Sequence, residues 1–317
     1  MLPEKAKDLF LALMRQQEAP ADPKDEADPF AVSLVRLQPE GKKRPFFCVH
    51  PASGTVGVFF DVAQSIDPKR PFFAFQPPGM DGEREPIFDL RALASGYLRQ
   101  MRKVQPKGPY TLGGWSAGGL IAFQMAHELV ASGEEVALLV LCDTVNDDVY
   151  ASLPHTRREI ATFIHQQMAL MVAHLAKQRG IEVDVDAAFD RIESVKQGSV
   201  RSRADLIFDM LQEAGLFRSL DSRLIKVFRR VFRANLAAVA RYDAPREPLD
   251  ATITLLRCKN EESVLKLAET NPTYGWATKT TRPVHVIEMP SHHFALFHGD
   301  VAPITARTLR NLLDAAE

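Results

Sequence analysis

The nine residues Thr111-Leu112-Gly113-Gly114-Trp115-Ser116-Ala117-Gly118-Gly119 constrain this chain more than any other stretch. They contain Gly114-x-Ser116-x-Gly118. A strand-like YTLGG leads in, and the helix-patterned AGGLIAFQMAHELVASG leads out. A serine with this spacing between a strand and a helix occupies a strained turn, which needs small residues two positions away on each side. The turn lifts the hydroxyl clear of the sheet. It also aims the next backbone N–H, that of Ala117, at the group the hydroxyl would attack. Such a turn needs a strand that feeds directly into a helix, so the surrounding fold must be a layered α/β structure.

The rest of the chain has that rhythm. PFFCVH (45–50) and FFAFQ (72–76) are short apolar runs suited to strands covered on both faces, and VALLVLCDT (136–144), ATITLLRC (251–258) and VHVIEM (284–289) are further strand patterns. Helix patterns follow at 89–104, after Ser116 and in the closing APITARTLRNLLDAA. This alternation predicts a mostly parallel central sheet flanked by helices. From about 150 to 240 the rhythm breaks into helix-patterned segments only, too long for one crossover, which predicts an inserted helical cap or lid. Residues 3–17 are amphipathic, with Ala6, Phe10, Leu13 and Met14 at helical spacing, and the Pro- and acid-rich EAPADPKDEADP comes next. The expected organisation is an N-terminal helix and flexible linker over 1–30, then one compact domain over 31–317 carrying the lid.

Composition narrows the function classes. With 46% hydrophobic and 25% charged residues in 317, a large core is available. The formal net charge of −1 makes no electrostatic case for nucleic acid or an anionic membrane. Cys48, Cys142 and Cys258 lie in apolar runs without metal or redox spacing, which fits a reducing cytoplasm. The start, MLPEKAKDLFLALMRQQ, lacks the basic, apolar and small-residue sections of a secretory signal, and no apolar run reaches a membrane span. A soluble cytoplasmic protein is expected.

An exposed serine nucleophile needs a base, an acid that orients the base, and two N–H donors for the developing oxyanion. Asp143 closes the first strand pattern after the elbow helix and is the favoured acid. Glu261 and Glu262 after the next strand, and Asp147 and Asp148 further along the same loop, are its rivals. For the base, His292, His293 and His298 cluster after the last strand. His293, followed by the apolar Phe294, is the choice among them. Ala117 is one oxyanion donor by construction. The loop His50-Pro51-Ala52-Ser53-Gly54 after the first core strand offers Ala52 as the second, with His50 shaping the loop. This chemistry requires no metal and no organic cofactor.

Together these residues resemble the type I thioesterase domains of non-ribosomal peptide and polyketide synthases, which have the α/β-hydrolase fold. FFCVHPASG is similar to the family's His-Pro-Ala-Gly-Gly-like loop. FFAFQPPGMDG is similar to its Gln-x-x-Gly segment, and PYTLGGWSAGGLIAFQMAHELVASGEEVALLVLCDT matches nearly throughout. Gly275-Trp276 and VHVIEMPSHHFALF resemble the closing region, with Ser291-His292 in place of the usual Gly-Asp. The resemblance supports Asp143 and His293. It implies release of an acyl, peptidyl or polyketide chain from the phosphopantetheine arm of an acyl or peptidyl carrier protein, through an acyl-enzyme on Ser116, by hydrolysis or cyclisation. A free-standing type II editing thioesterase and a carboxylesterase- or lipase-like hydrolase are the alternatives.

Trp115 beside the serine, and Phe163, Met168, Met171, Phe208 and Met210 in the cap, are candidates to line an acyl pocket. Leu170 and Phe217 share the pattern, and packing between cap helices is the competing explanation. Arg218, Arg223, Lys226, Arg229, Arg230 and Arg233 form a basic stretch, either a contact for an acidic carrier or phosphate, or a solvated helix face.

Overall fold

The computed structural model describes residues 28–146, 180–194, 200–215, 221–259 and 271–317, with residues 169, 172, 173 and 176 alone between them. Its centre is a seven-stranded sheet. The strands are β1 (Leu34–Gln38), β2 (Phe46–Val49), β3 (Phe72–Phe75), β4 (Tyr110–Trp115), β5 (Val136–Cys142), β6 (Ile253–Cys258) and β7 (Val284–Met289). Their order is β1-β3-β2-β4-β5-β6-β7. Only the β1–β3 pair is antiparallel; every other neighbouring pair is parallel.

Parallel strands need crossovers, and here helices supply them. These are α1 (Phe60–Ile66), α2 (Leu90–Val104) and α3 (Ala117–Ala131), while α7 (Ala302–Ala315) follows β7 and packs back on the sheet. Strands β2 to β6 are buried on both faces, which explains their continuous apolar runs, whereas the edge strands β1 and β7 are partly exposed. In β2, Phe46 and Cys48 join a cluster with Phe59, Val62 and Ile66 near α1 and Leu309 and Leu313 of α7. Phe47 and Val49 point into the opposite cluster, with Leu93 and Tyr97 of α2 and Phe123 and Met125 of α3. Phe46, Phe47, Phe72 and Phe75 are wholly buried. At about 2–3 kcal/mol per buried phenylalanine, these four alone contribute on the order of 10 kcal/mol toward offsetting the entropy of ordering the sheet.

Three helices lie in the described residues between β5 and β6: α4 (Val185–Glu193), α5 (Val200–Glu213) and α6 (Ser222–Ala240). Aspartates begin two of them. Asp184 accepts from the N–H groups of Asp186 and Ala187, and Asp221 from those of Arg223 and Leu224. These helices bury a third cluster of their own, including Ile207, Phe208, Met210, Leu211, Phe228, Val231 and Phe232. Met80 belongs to it too, and Ala52 of the loop after β2 packs against it.

Sequence and structure agree on six of the seven strands to within two residues. The edge strand β1 and the short helix α1 went unforeseen. β1 has five residues with mixed exposure, and its burial comes from pairing with β3, which periodicity does not reveal. The proposed helix over 3–17 and the linker up to residue 27 lie outside the described residues, and within the expected 1–30 segment Phe30 is buried against Tyr97.

Candidate active site

The carboxyl ends of β2, β4, β5, β6 and β7 meet at one edge of the sheet, and the residues after them form the site. Ser116 succeeds β4 with φ 56°, a conformation strained for a residue with a Cβ. The turn around it is tight. A Cβ on Gly114 would lie 2.2 Å from the Gly118 carbonyl oxygen, and one on Gly118 would lie 2.4 Å from the carbonyl oxygens of both Val49 and His50. The first turn of α3 is therefore pressed onto the end of β2, bringing Ala117 toward the loop that holds Ala52.

A peptide unit is planar and trans, so holding its carbonyl aims its N–H the opposite way. The Ser116 carbonyl accepts from the Gly119 N–H and the Thr144 hydroxyl, both at 3.0 Å. That fixes the direction of the Ala117 N–H. Thr144 is itself anchored, because its carbonyl accepts from Trp276 Nε1 at 2.7 Å. Asn146 adds a second tie, its N–H donating to the Tyr274 carbonyl at 3.0 Å and its side-chain amide to the Gly275 carbonyl at 3.2 Å. The Gly275-Trp276 segment thus braces the loop after β5.

That loop carries Asp143, also at positive φ (47°) and buried. Its N–H donates to the Leu256 carbonyl at 2.7 Å. One carboxylate oxygen, Oδ1, accepts from the Cys258 N–H at 2.9 Å, and the other, Oδ2, accepts from His293 Nδ1 at 2.7 Å. With Nδ1 bonded to the carboxylate, Nε2 is the ring nitrogen on the side away from Asp143. The His293 ring lies 5.4 Å from that of Trp115, which also faces Phe297 at 5.3 Å. It is His293 that brings an imidazole to Asp143. His292 is held below its ordinary pKa by partial burial and by its neighbour His293, and His298 by burial against the pull of Asp61. The rival acids Asp147, Asp148, Glu261 and Glu262 lie outside the described residues.

His50 is fully buried, and burial pushes it down to about 4, so it is neutral at ordinary pH. Its Nδ1–H donates to the Pro51 carbonyl at 2.8 Å, and its Nε2 accepts from the Tyr97 hydroxyl at 2.8 Å. The Gly54 N–H also donates to the Pro51 carbonyl, at 2.9 Å. The same planarity then directs the Ala52 N–H away from His50. Tyr97, Thr144 and the Cys258 N–H carried no signal in the sequence, since each acts through a contact that only the fold creates.

Of the proposed pocket residues, Trp115 is buried beside His293. Phe208 and Met210 are buried among the inserted helices, with the Arg229 guanidinium 5.0 Å above the Phe208 ring. Phe163, Met168 and Met171 lie outside the described residues, as do Leu170, Phe217 and Arg218. The basic face of α6 is largely matched by acids. Arg229 pairs with Asp209, Arg230 with Glu85, and Arg233 with Asp205. Arg223 and Lys226 are exposed. Among the described residues, no cluster of His, Cys, Asp and Glu has metal-binding geometry, and no helix is long and apolar enough to cross a membrane.

Comparison with known proteins identifies the family. A thioesterase domain family model matches residues 44–313. The chain belongs to the thioesterase domain family. The thioesterase is thus a hydrolase of the thioester-cleaving class, with the fold expected for the non-ribosomal peptide and polyketide type. It is 42% identical over 110 residues to the dimodular nonribosomal peptide synthase of Bacillus subtilis strain 168, covering 35% of this chain and 5% of that one. It is 25% identical over 310 residues to thioesterase pytI of Aspergillus terreus, covering 89% and 98%. The NocB thioesterase domain, solved in covalent complex with a fluorophosphonate nocardicin G analog, superposes with a TM-score of 0.60 at 21% identity. That match covers 88% of this chain and 99% of that one. The matched regions span only 2% to 12% of the length of the synthetases compared.

Proposed function

We propose that this thioesterase releases an acyl, peptidyl or polyketide chain from a phosphopantetheinyl carrier protein through an acyl-enzyme on Ser116. The observation that carries the reading is the partly buried 2.7 Å contact between His293 Nδ1 and Asp143 Oδ2, at the same sheet edge as a serine held on a strained elbow. In this reading His293 Nε2 takes the serine proton as Oγ attacks the thioester carbonyl. The N–H groups of Ala117 and Ala52 stabilise the oxyanion, and collapse expels the pantetheine sulfur with the proton from His293. Water, or a nucleophile within the chain, then attacks the acyl-enzyme with His293 again as base. Hydrolysis and cyclisation share every step up to that attack. The inserted helices act as the lid that decides between them by admitting or excluding water.

A second reading, the free-standing editing thioesterase, is favoured by one observation: pytI matches over 98% of its own length. Both readings use the same site and the same carrier-bound substrate, so one experiment addresses their common chemistry. The protein is mixed with a panel of acyl N-acetylcysteamine thioesters and matching oxygen esters, and intact mass is recorded beside Ser116→Ala. An added acyl mass, preferring thioesters and absent from the variant, is the expected result. Labelling or turnover that persists in Ser116→Ala overturns the acyl-enzyme. Equal preference for oxygen esters would favour a carboxylesterase.

A further inference from the structure

One polar side chain of the inserted helices enters the site from above. Asn235, on α6, is 3% exposed, and its Nδ2 donates to the Ala52 carbonyl at 3.0 Å. Ala52 is the residue whose N–H serves as the second oxyanion donor in the proposed function, and the inference rests on that reading. The two peptide planes flanking Ala52 are therefore held from opposite directions. The preceding plane is held from the core, through His50 Nδ1 on the Pro51 carbonyl. The next plane is held from the helical insertion, through Asn235.

The contact belongs to a wider seat for α6. A Cβ on Gly54 would lie 2.7 Å from Val231 Cγ1, and one on Gly82 would lie 2.9 Å from Val227 Cγ2, so helix and loop meet without spare room. Arg230 ties the same helix to Glu85. A second feature separates Asn235 from ordinary packing. Its Oδ1 is buried and has no hydrogen-bond partner among the described residues. A buried acceptor without a partner is unfavourable, and an apolar side chain of the same shape would avoid that penalty. Packing alone gives no reason for an amide here; the bond to the Ala52 carbonyl does.

We propose that Asn235 is a positioning residue for the oxyanion hole, coupling the placement of helix α6 to the direction of the Ala52 N–H. An acyl chain that seats α6 correctly would thereby complete the hole, and one that displaces α6 would misaim a donor. Errors of about 1 Å in such groups cost up to about a hundredfold in rate, and deleting one donor outright costs about a hundredfold to a thousandfold.

The test compares three side chains with the same branched outline: wild-type Asn235, Asn235→Leu, which removes the donor, and Asn235→Asp, which sets an oxygen against the Ala52 carbonyl. The readouts are kcat and KM with an N-acetylcysteamine thioester, melting temperature, and affinity for an alkyl boronic acid. The tetrahedral serine adduct of that acid places an oxygen in the oxyanion position. The expected result for Asn235→Leu is a fall in kcat of about tenfold. KM should stay within about twofold, boronate affinity should fall by the same factor as kcat, and melting temperature should stay within about 3 °C of wild type. Asn235→Asp should lose more. Unchanged kcat, a loss confined to KM, or a kcat loss without weaker boronate binding would each overturn the coupling. Ser116→Ala is the separate control: turnover or tight boronate binding in that variant would instead overturn the acyl-enzyme reading.

Discussion

Replacing Asp143 by asparagine removes one charge and almost no volume, and the hydrogen bonds around the carboxylate determine its effect. Asp143 Oδ1 accepts the Cys258 N–H at 2.9 Å, so an amide at this position must keep its oxygen there. The alternative would set two N–H donors against each other in a buried site. The amide NH2 then faces His293 Nδ1, where Oδ2 now lies at 2.7 Å. A donor at that point forces Nδ1 to accept, and the imidazole proton moves to Nε2, the nitrogen that must take the proton from Ser116. In serine hydrolases with this arrangement, the wrong tautomer costs about 10⁴ in kcat, or about 5 kcal/mol of barrier at 1.36 kcal/mol per decade. Stability should change far less, by about 1–2 kcal/mol for a charge-assisted bond lost without a cavity. Single-turnover acylation by an N-acetylcysteamine thioester, with urea unfolding of the same samples, measures both. A kcat within about tenfold of wild type would refute the reasoning. It would mean that another acid orients the imidazole, with Glu261 and Glu262 the first candidates.

Two further predictions concern the walls of the site. Gly118→Ala should be strongly destabilising, by about 3 kcal/mol or more, because the added methyl meets two backbone carbonyls at 2.4 Å. A melting temperature close to wild type would show that the β2–α3 contact yields more readily than its geometry implies. His50 should make stability depend on pH. Its folded-state value, pushed down to about 4 by burial, lies below the unfolded value near 6.5, so the unfolded chain holds more protons between the two. The stability linked to His50 is complete above about pH 6.5 and declines as pH falls, with roughly 3 kcal/mol lost by pH 4. His50→Asn, which keeps a donor for the Pro51 carbonyl but does not titrate, should flatten that decline in unfolding curves taken at pH 7, 5.5 and 4.5. Parallel curves for the two proteins would contradict it.

Much of the site could be read from the sequence because its central device is local. Ser116, its flanking glycines and the Ala117 donor are consecutive residues, and the turn they require comes with a strand on one side and a helix on the other. Asp143 could be proposed because it ends an apolar run, and His293 because it comes after another. Continuous apolar runs marked the central strands, which are covered on both faces. The choice among three neighbouring histidines was less legible from the residues themselves, since periodicity does not say which ring turns inward. The basic stretch on α6 read more readily as a solvated face than as a binding one. Ion pairs with Asp205, Asp209 and Glu85, the last 145 positions away from Arg230, show how much of that charge is matched.

The sequence by itself determined the layered α/β class and the strained serine, since both arise from residues adjacent in the chain whose sterics and hydrophobicity act at short range. Only the tertiary structure decided how the site is held. The strand order sets β5 beside β6 and β6 beside β7, which brings Asp143 to the Cys258 N–H and to an imidazole 150 positions away. The same packing lays Asn235 on Ala52 across 183 positions and Tyr97 on His50 across 47. Hydrogen bonds of this kind depend on ångström-scale placement between elements packed against a common core, and no local pattern of residue types encodes it.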